Sequence, residues 1–178
     1  RNRHLVRDCF RWGGYVFARK AGEIAGKEGV GRVARLASNE NPNPPGPEAV
    51  RLGCAALEGA NRYPDETMDL LVQSLARHYG PSHFVTGVGM DGVIETLVRM
   101  LVDPGDRVAV AAPTFSFYGL AAKAQSAEVV IVGREKDFSV DPGRFIEAAE
   151  GAKISFLCTP NNPTGTVTPS GDVEEILE

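Results

Sequence analysis

The stretch "GVGMDG", residues 87–92, carries glycines at a spacing typical of a turn that wraps around a phosphate. Gly87 and Gly89 permit a tight backbone bend. Met90 and Asp91 then fall in the first turn of the apolar helix that "DGVIETLVRMLV" predicts. The free N–H groups and the dipole of a helix N-terminus favour an anion. The stretch therefore predicts a phosphate site, and the alternative without a ligand is a strand-to-helix turn with an aspartate cap.

A dinucleotide is one ligand that this glycine spacing suggests. A dinucleotide site also has an acidic residue about 20 positions on, at the end of the second strand, where the carboxylate holds the ribose. Here the next predicted strand ends in Ala111, Ala112 and Pro113, and Asp103 and Asp106 lie before it. A nucleotide-binding module is thus the alternative from another functional class, and the sequence disfavours it.

Two more predicted strand ends carry side chains that suit a flat aromatic ring. Phe115 follows "RVAVAAP", where its face could stack on a ring, although a core phenylalanine fits the same position. Asn162 lies in "TPNNPTG" after another buried strand, and its amide is both donor and acceptor, although Asn-Pro also favours a plain turn. A phosphate site, a stacking face and an amide in one pocket together describe a phosphorylated aromatic ring.

The elements that must position these residues alternate between strand and helix from about residue 83 onward. Strands are predicted at "HFVTG", "RVAVAAP", "EVVIVG" and "KISFLCTP", with helices between them. The fold class is therefore α/β, with a mostly parallel sheet and helices on both faces. In such sheets the loops after the strands meet at one edge, so "GVGMDG", "APTF" and "CTPNNPTG" should face one pocket.

Composition excludes several other functions. The 178 residues include 43% apolar and 24% charged residues, and the net charge of -4 provides no basic surface for nucleic acid or an anionic membrane. No apolar run approaches the roughly 18 residues of a membrane span. Cys9, Cys54 and Cys158 are too far apart for a zinc site or a disulfide framework, so we expect buried thiols in a reducing compartment.

The motifs "LASNENPNPPGPEAV", "NRYPDE", "GVGMDGVIETL", "APTFSFY" and "CTPNNPTG" resemble, in order and spacing, the fold type I pyridoxal-phosphate aminotransferases. Within them, "SNENP" with "NRYP" is similar to the histidinol-phosphate aminotransferases. The resemblance implies a cytoplasmic homodimer with pyridoxal 5'-phosphate that transaminates L-histidinol phosphate with 2-oxoglutarate in histidine biosynthesis. Three alternatives stay open: threonine-phosphate decarboxylases and aromatic aminotransferases, which would share these cofactor residues, and a noncatalytic relative.

The resemblance implies a cofactor-binding role for five residues. Met90 and Asp91 match the positions that hold the cofactor phosphate, and Phe115 matches the aromatic residue that stacks on the pyridine ring. Asn162 matches the asparagine that hydrogen-bonds the pyridoxal 3-oxygen. Tyr63 matches the tyrosine that reaches the cofactor phosphate of the neighbouring subunit.

Other positions are matched less specifically. Tyr15 resembles an arm tyrosine near the substrate's phosphate, whereas Asn39 and Asn41 lie in a loop that should border the substrate, and they receive no assigned role. The resemblance also implies cis peptide bonds before Pro113 and Pro163, which would turn the two strand ends toward one ring.

The resemblance finds no catalytic residue in this chain. The Schiff-base lysine, the aspartate for the pyridine nitrogen and the arginines for the substrate phosphate are expected beyond Glu178, and no metal ligands are expected. The chain then reads as the amino-terminal half of the enzyme, inactive by itself. We expect residues 1–35 to form an amino-terminal arm, 36–60 a substrate-side loop and helix, and 61–178 the incomplete large domain that binds the cofactor.

Overall fold

The computed structural model describes residues 7–8, 21–31, 34 and 36–178. Contacts divide the chain into two compact units. One unit is Val16–Phe84, and the other combines Val85–Glu178 with Arg1–Tyr15.

The unit Val16–Phe84 is helical where it is described, with α1 (Ala21–Glu28), α2 (Pro47–Leu57) and α3 (Asp69–Tyr79). Pro47 occupies the first turn of α2, where a missing N–H costs no helical hydrogen bond. Among the described residues of this unit no apolar side chain is buried.

The unit that contains Val85–Glu178 is built on a parallel sheet of β1 (Arg107–Ala112), β2 (Glu128–Gly133) and β3 (Ala152–Phe156). The strand order is β2-β1-β3. The central strand reads "RVAVAA", and its middle four residues are buried. Such a continuous run of small and branched apolar residues is typical of a parallel strand covered on both faces. The predicted parallel sheet is confirmed.

Four helices accompany this sheet: α4 (Gly89–Leu101), α5 (Phe117–Ala124), α6 (Pro142–Ala149) and α7 (Ser170–Leu177). On one face, side chains of α4 and α5 form a core cluster with Val108 and Val110 of β1. On the other face, Phe145 of α6 packs with Ala111 of β1, and Ile176 of α7 packs against them. Alternate residues of β1 therefore serve opposite faces, and the prediction of helices on both faces is confirmed.

Two sequence expectations were wrong. The stretch "HFVTG" forms no strand, because extended residues become a strand only when a neighbouring strand accepts their hydrogen bonds. The thiols were expected to be buried, but Cys54 is exposed and Cys158 is only partly buried, whereas Cys9 lies outside the described residues. In the described part of the chain, no helix has the length and apolar character needed to cross a membrane.

Candidate functional site

The carboxyl ends of β1 and β3 lie side by side, and the chain leaves them in opposite directions. After β1 it enters α5 on one face of the sheet, and after β3 it reaches α7 on the other. Diverging loops of this kind open a crevice at the sheet edge, which is where open parallel sheets bind ligands. The motifs "APTF" and "CTPNNPTG" are the two loops that border it.

Asn161 ties these two loops together. Its amide Nδ2 donates to the Pro113 main-chain oxygen at 3.1 Å and to Thr164 Oγ1 at 2.7 Å. Its main chain closes the turn after β3, since its N–H donates to the Thr166 oxygen at 2.8 Å and its oxygen accepts from the Gly165 N–H at 2.7 Å. Only 3% of Asn161 is exposed. A role for Asn161 was not predicted from the sequence, because nothing in "NNP" distinguishes its amide from that of Asn162.

Asn162 is partly buried and directly follows this anchor. The Asn162–Pro163 and Ala112–Pro113 peptide bonds are both cis, so those two predictions are confirmed. The Thr159–Pro160 bond is also cis, which the sequence analysis did not predict.

Phe115 lies two residues beyond Pro113 in the loop after β1, and it is partly buried against the core cluster of α4 and α5. Its ring meets the Tyr118 ring edge-on at 5.6 Å, and Tyr118 stacks on Phe156 at 4.7 Å. These contacts fix the ring of Phe115 in the loop after β1, and its packing against the core matches the alternative that the sequence left open.

The "GVGMDG" turn opens α4 as expected. Gly89 has a φ of 67°, which favours glycine, and its N–H donates to the Gly87 oxygen at 2.9 Å. The helix N-cap is Val88, and no side chain caps it, so the aspartate-cap alternative is not what the structure shows. Met90 and Asp91 are both exposed in the first turn, where no intrahelical carbonyl can reach their N–H groups. This turn can receive an anion.

Tyr63 lies in the unit Val16–Phe84, and its side chain is fully exposed. The turn that carries it is fastened to α3 by Asp65, whose carboxylate accepts from the N–H groups of Thr67 and Asp69 at 3.1 and 2.9 Å. Hydrogen bonds from Thr67 and Asp69 lower the pKa of Asp65. Asp65 is thus a structural residue of "RYPDE" that the sequence analysis did not single out.

Other expected positions contribute less. Tyr15 lies outside the described residues. Asn41 closes its own turn, with Oδ1 accepting from the Asn43 N–H at 2.9 Å, and Asn39 adopts a left-handed conformation with a φ of 51°. No cluster of metal-binding side chains occurs in the described ranges.

The lysines that the structure describes do not lie between the ends of β1 and β3. Lys123 is in the last turn of α5, Lys136 follows the outer strand β2, and Lys153 is near the amino end of β3. All three side chains are exposed, and so is Lys27 of α1.

The family profile described as aminotransferase class I and II matches residues 32–178. The chain belongs to the class I and II aminotransferases. This membership agrees with the absence of a ribose-binding carboxylate at the end of β1 and argues against the nucleotide-binding alternative.

Curated relatives match nearly the whole chain. It is 57% identical over 177 residues to the histidinol-phosphate aminotransferase of Methanoculleus marisnigri, which covers 99% of this chain and 50% of that protein. It is 53% identical to the enzyme of the same name from Methanocorpusculum labreanum, over 97% of this chain and 50% of that protein. The chain therefore spans about half the length of these relatives.

Solved structures share the fold. The histidinol-phosphate aminotransferase of Sinorhizobium meliloti, crystallised with pyridoxal-5'-phosphate, superposes with a TM-score of 0.80 at 24% identity, over 97% of this chain and 47% of that chain. This similarity establishes the fold type I architecture for the described half.

Proposed function

We propose that this chain forms the cofactor-holding amino-terminal half of a pyridoxal-phosphate-dependent aminotransferase that exchanges an amino group between L-histidinol phosphate and 2-oxoglutarate in histidine biosynthesis. The observation that carries the proposal is the 51–57% identity, across 97–99% of the chain, to three relatives named histidinol-phosphate aminotransferase.

The residues at the carboxyl edge of the sheet fit pyridoxal phosphate. The first turn of α4 offers N–H groups for a phosphate, and the crevice between β1 and β3 offers an aromatic ring and an amide. Two buried atoms there, Thr114 Oγ1 and Asn161 Oδ1, have no hydrogen-bond partner among the described residues. Buried polar atoms are normally paired, so these two indicate that a polar group from outside the described chain binds at this edge.

The length of α4 supports the proposal that its first turn lies at the carboxyl edge of the sheet. The helix has 13 residues, a span of roughly 20 Å, which is close to the length of a six-residue strand. Its far end connects through a short loop to the amino end of β1, while Ile94 and Val98 pack along the sheet with Val108 and Val110. Its first turn then lies level with the loops that carry Phe115 and Asn162.

Each residue has a task toward the cofactor. Pyridoxal phosphate, when bound, supplies an electron sink for the bond that breaks at the substrate carbon. The N–H groups of Met90 and Asp91 bind its phosphate, and the face of Phe115 orients its ring. The amide of Asn162 donates to the ring oxygen and so stabilises that oxygen in its ionised form.

The lysine that binds the cofactor is not among the described lysines, and we place it beyond Glu178. The aspartate for the ring nitrogen and the arginines for the substrate phosphate belong there too. The domain boundaries at residues 35 and 60 are part of the same proposal, with an arm, a substrate-side segment and the first part of the large domain.

We further propose a cytoplasmic homodimer with shared active sites. The fully exposed ring of Tyr63 supports this, because a tyrosine that serves its own unit's core would be buried. Tyr63 would hydrogen-bond the cofactor phosphate of the partner, and Tyr15 would lie near the substrate phosphate.

An assay of glutamate formation tests the function. The full-length protein, given pyridoxal phosphate, histidinol phosphate and 2-oxoglutarate, should turn over at roughly 1 s⁻¹ or faster. The polypeptide of residues 1–178 should give no turnover under the same conditions. Faster turnover of an aromatic amino acid, or loss of carbon dioxide from a phosphorylated amino acid, would instead favour one of the two related enzymes.

A further inference from the structure

We propose that Asn161 is a positioning residue that fixes Asn162 and Phe115 in one geometry around the cofactor ring, an inference that rests on the proposed function. The amide nitrogen of Asn161 binds Pro113 and Thr164, neither of which is assigned to the cofactor. It acts by locking the loop after β3 onto the loop after β1.

The hydrogen bonds of Asn161 define the orientation of its amide. The Pro113 oxygen is a main-chain carbonyl and can only accept, so the Asn161 atom at 3.1 Å must be the amide nitrogen. The second donor contact, to Thr164 Oγ1, fixes the same nitrogen from the other side. Thr164 Oγ1 is in turn 3.1 Å from Thr166 Oγ1, which continues the chain of hydrogen bonds through the turn.

The hydrogen bond from Asn161 to Pro113 affects both loops because of its position in the fold. It joins residues 48 positions apart, across the crevice where β1 and β3 lead to opposite faces. One end is two residues from Phe115, and the other is adjacent to Asn162. Only 3% of Asn161 is exposed, so water cannot readily replace the contact if the side chain changes.

Loss of the Asn161 contact should change the orientation of Asn162 as well as lower the stability of the protein. If the two loops come apart, Asn162 no longer donates squarely to the ring oxygen of the cofactor. The ionised form of that oxygen then loses its donor, so protonation of the bound cofactor moves to higher pH. A variant that only lowers stability leaves this midpoint unchanged.

The test uses the full-length protein and pyridoxal phosphate, followed by cofactor absorbance across pH and by equilibrium binding. Asn161→Asp places an oxygen against the Pro113 carbonyl and should raise the dissociation constant about fivefold to tenfold. It should also raise the pH midpoint of the absorbance change by about 0.5 to 1 unit. Thr168→Val is the matched control, because Thr168 is another buried polar residue of the same loop, and it should change affinity less than about twofold.

A double-mutant cycle decides whether Asn161 acts through Asn162. With Asn162→Ala already present, Asn161→Asp should move the midpoint by less than about 0.2 unit. A full shift in that background overturns the inference, as does an unchanged midpoint in Asn161→Asp alone. If Asn161→Asp does not fold, Asn161→Ser, which is uncharged and too short to reach Pro113, is measured in its place. Failure of the unaltered protein to bind the cofactor would refute the proposed function and the inference together. A full shift in the Asn162→Ala background, or an unchanged midpoint in Asn161→Asp, would refute the inference alone.

Discussion

Replacing Gly87 by alanine should displace the first turn of α4. A Cβ built on Gly87 would lie 3.1 Å from Val93 Cγ2 and 3.2 Å from the Val93 main-chain nitrogen, whereas ordinary contacts begin at 3.4 Å. The side-chain methyl can rotate away, but the nitrogen belongs to the helix backbone. The helix start must therefore shift by a few tenths of an ångström.

The structure sets the size of the effect. Overpacking by one methyl costs about 1–2 kcal/mol of unfolding free energy when the neighbour is backbone. The same shift misaligns the N–H groups of Met90 and Asp91, and losing about half of one charge-assisted hydrogen bond weakens phosphate binding by roughly 1 kcal/mol, about fivefold. Gly87→Ala should therefore lower both stability and affinity for pyridoxal phosphate.

Two other glycines provide matched controls in urea unfolding and in cofactor binding. Gly171 lies in α7 with no atom within 4 Å of a built Cβ, so Gly171→Ala should be neutral or stabilise by up to about 1 kcal/mol. Gly89 also has free space but a φ of 67°, so Gly89→Ala should cost about 1 kcal/mol through backbone strain alone. Adding Val93→Ala removes the Cγ2 contact but leaves the main-chain nitrogen in place, so most of the loss in Gly87→Ala should remain. Equal unfolding midpoints for Gly87→Ala and Gly171→Ala would refute the packing argument.

Three further predictions address the core, the pH dependence and the dimer. Phe145 is 1% exposed, whereas its helical neighbour Ile146 is 39% exposed. In urea unfolding, Phe145→Ala should therefore cost about 3–5 kcal/mol of unfolding free energy and Ile146→Ala under about 1 kcal/mol. Similar losses in the two variants would contradict the assigned core. Burial, aided by the neighbouring Cys158 side chain, raises the pKa of Tyr118 to about 12. The folded state then keeps a proton that the unfolded chain releases near pH 10, so this contribution to stability is intact below that pH and is lost as pH rises to 12. Ultraviolet titration should show a late tyrosine signal that disappears in Tyr118→Phe, and an unchanged signal in that variant would contradict the assignment. In the full-length protein, Tyr63→Phe should weaken cofactor binding by about 1 kcal/mol, and an unchanged affinity would remove the argument for a shared site.

The sequence allowed the regular elements near the site to be predicted, because their signals are local. The apolar run "RVAVAA" and the Asp141-Pro142 start of α6, where the Asp141 side chain accepts from the Arg144 N–H, each determine their own structure. The strand order β2-β1-β3 could not be predicted in this way, since alternation of strand and helix indicates parallel pairing without saying which strand is central.

In the candidate site, too, only residues with a local sequence signal could be predicted. Glycine spacing marked the α4 turn, and the Asn-Pro pair marked the loop after β3. The bridge from Asn161 to Pro113 left no signal, because it joins two loops that are distant in sequence and depends on which of two adjacent amides turns inward. The strand predicted for "HFVTG" was wrong for a related reason: its residues suit a strand, but no strand of the described chain pairs with them.

The central position of β1 also orders events during synthesis. Asn161 leaves the ribosome 48 residues after Pro113, a delay of roughly 2 to 10 s at ordinary elongation rates. In that interval the nascent chain can pair β1 with β2, while the other edge of β1 stays open to neighbouring chains. The crevice between the ends of β1 and β3 forms only when β3 arrives, so a polysome carries many copies of this protein with a half-built sheet. Chaperone binding to nascent chains should accordingly be strongest between the emergence of β1 and that of β3.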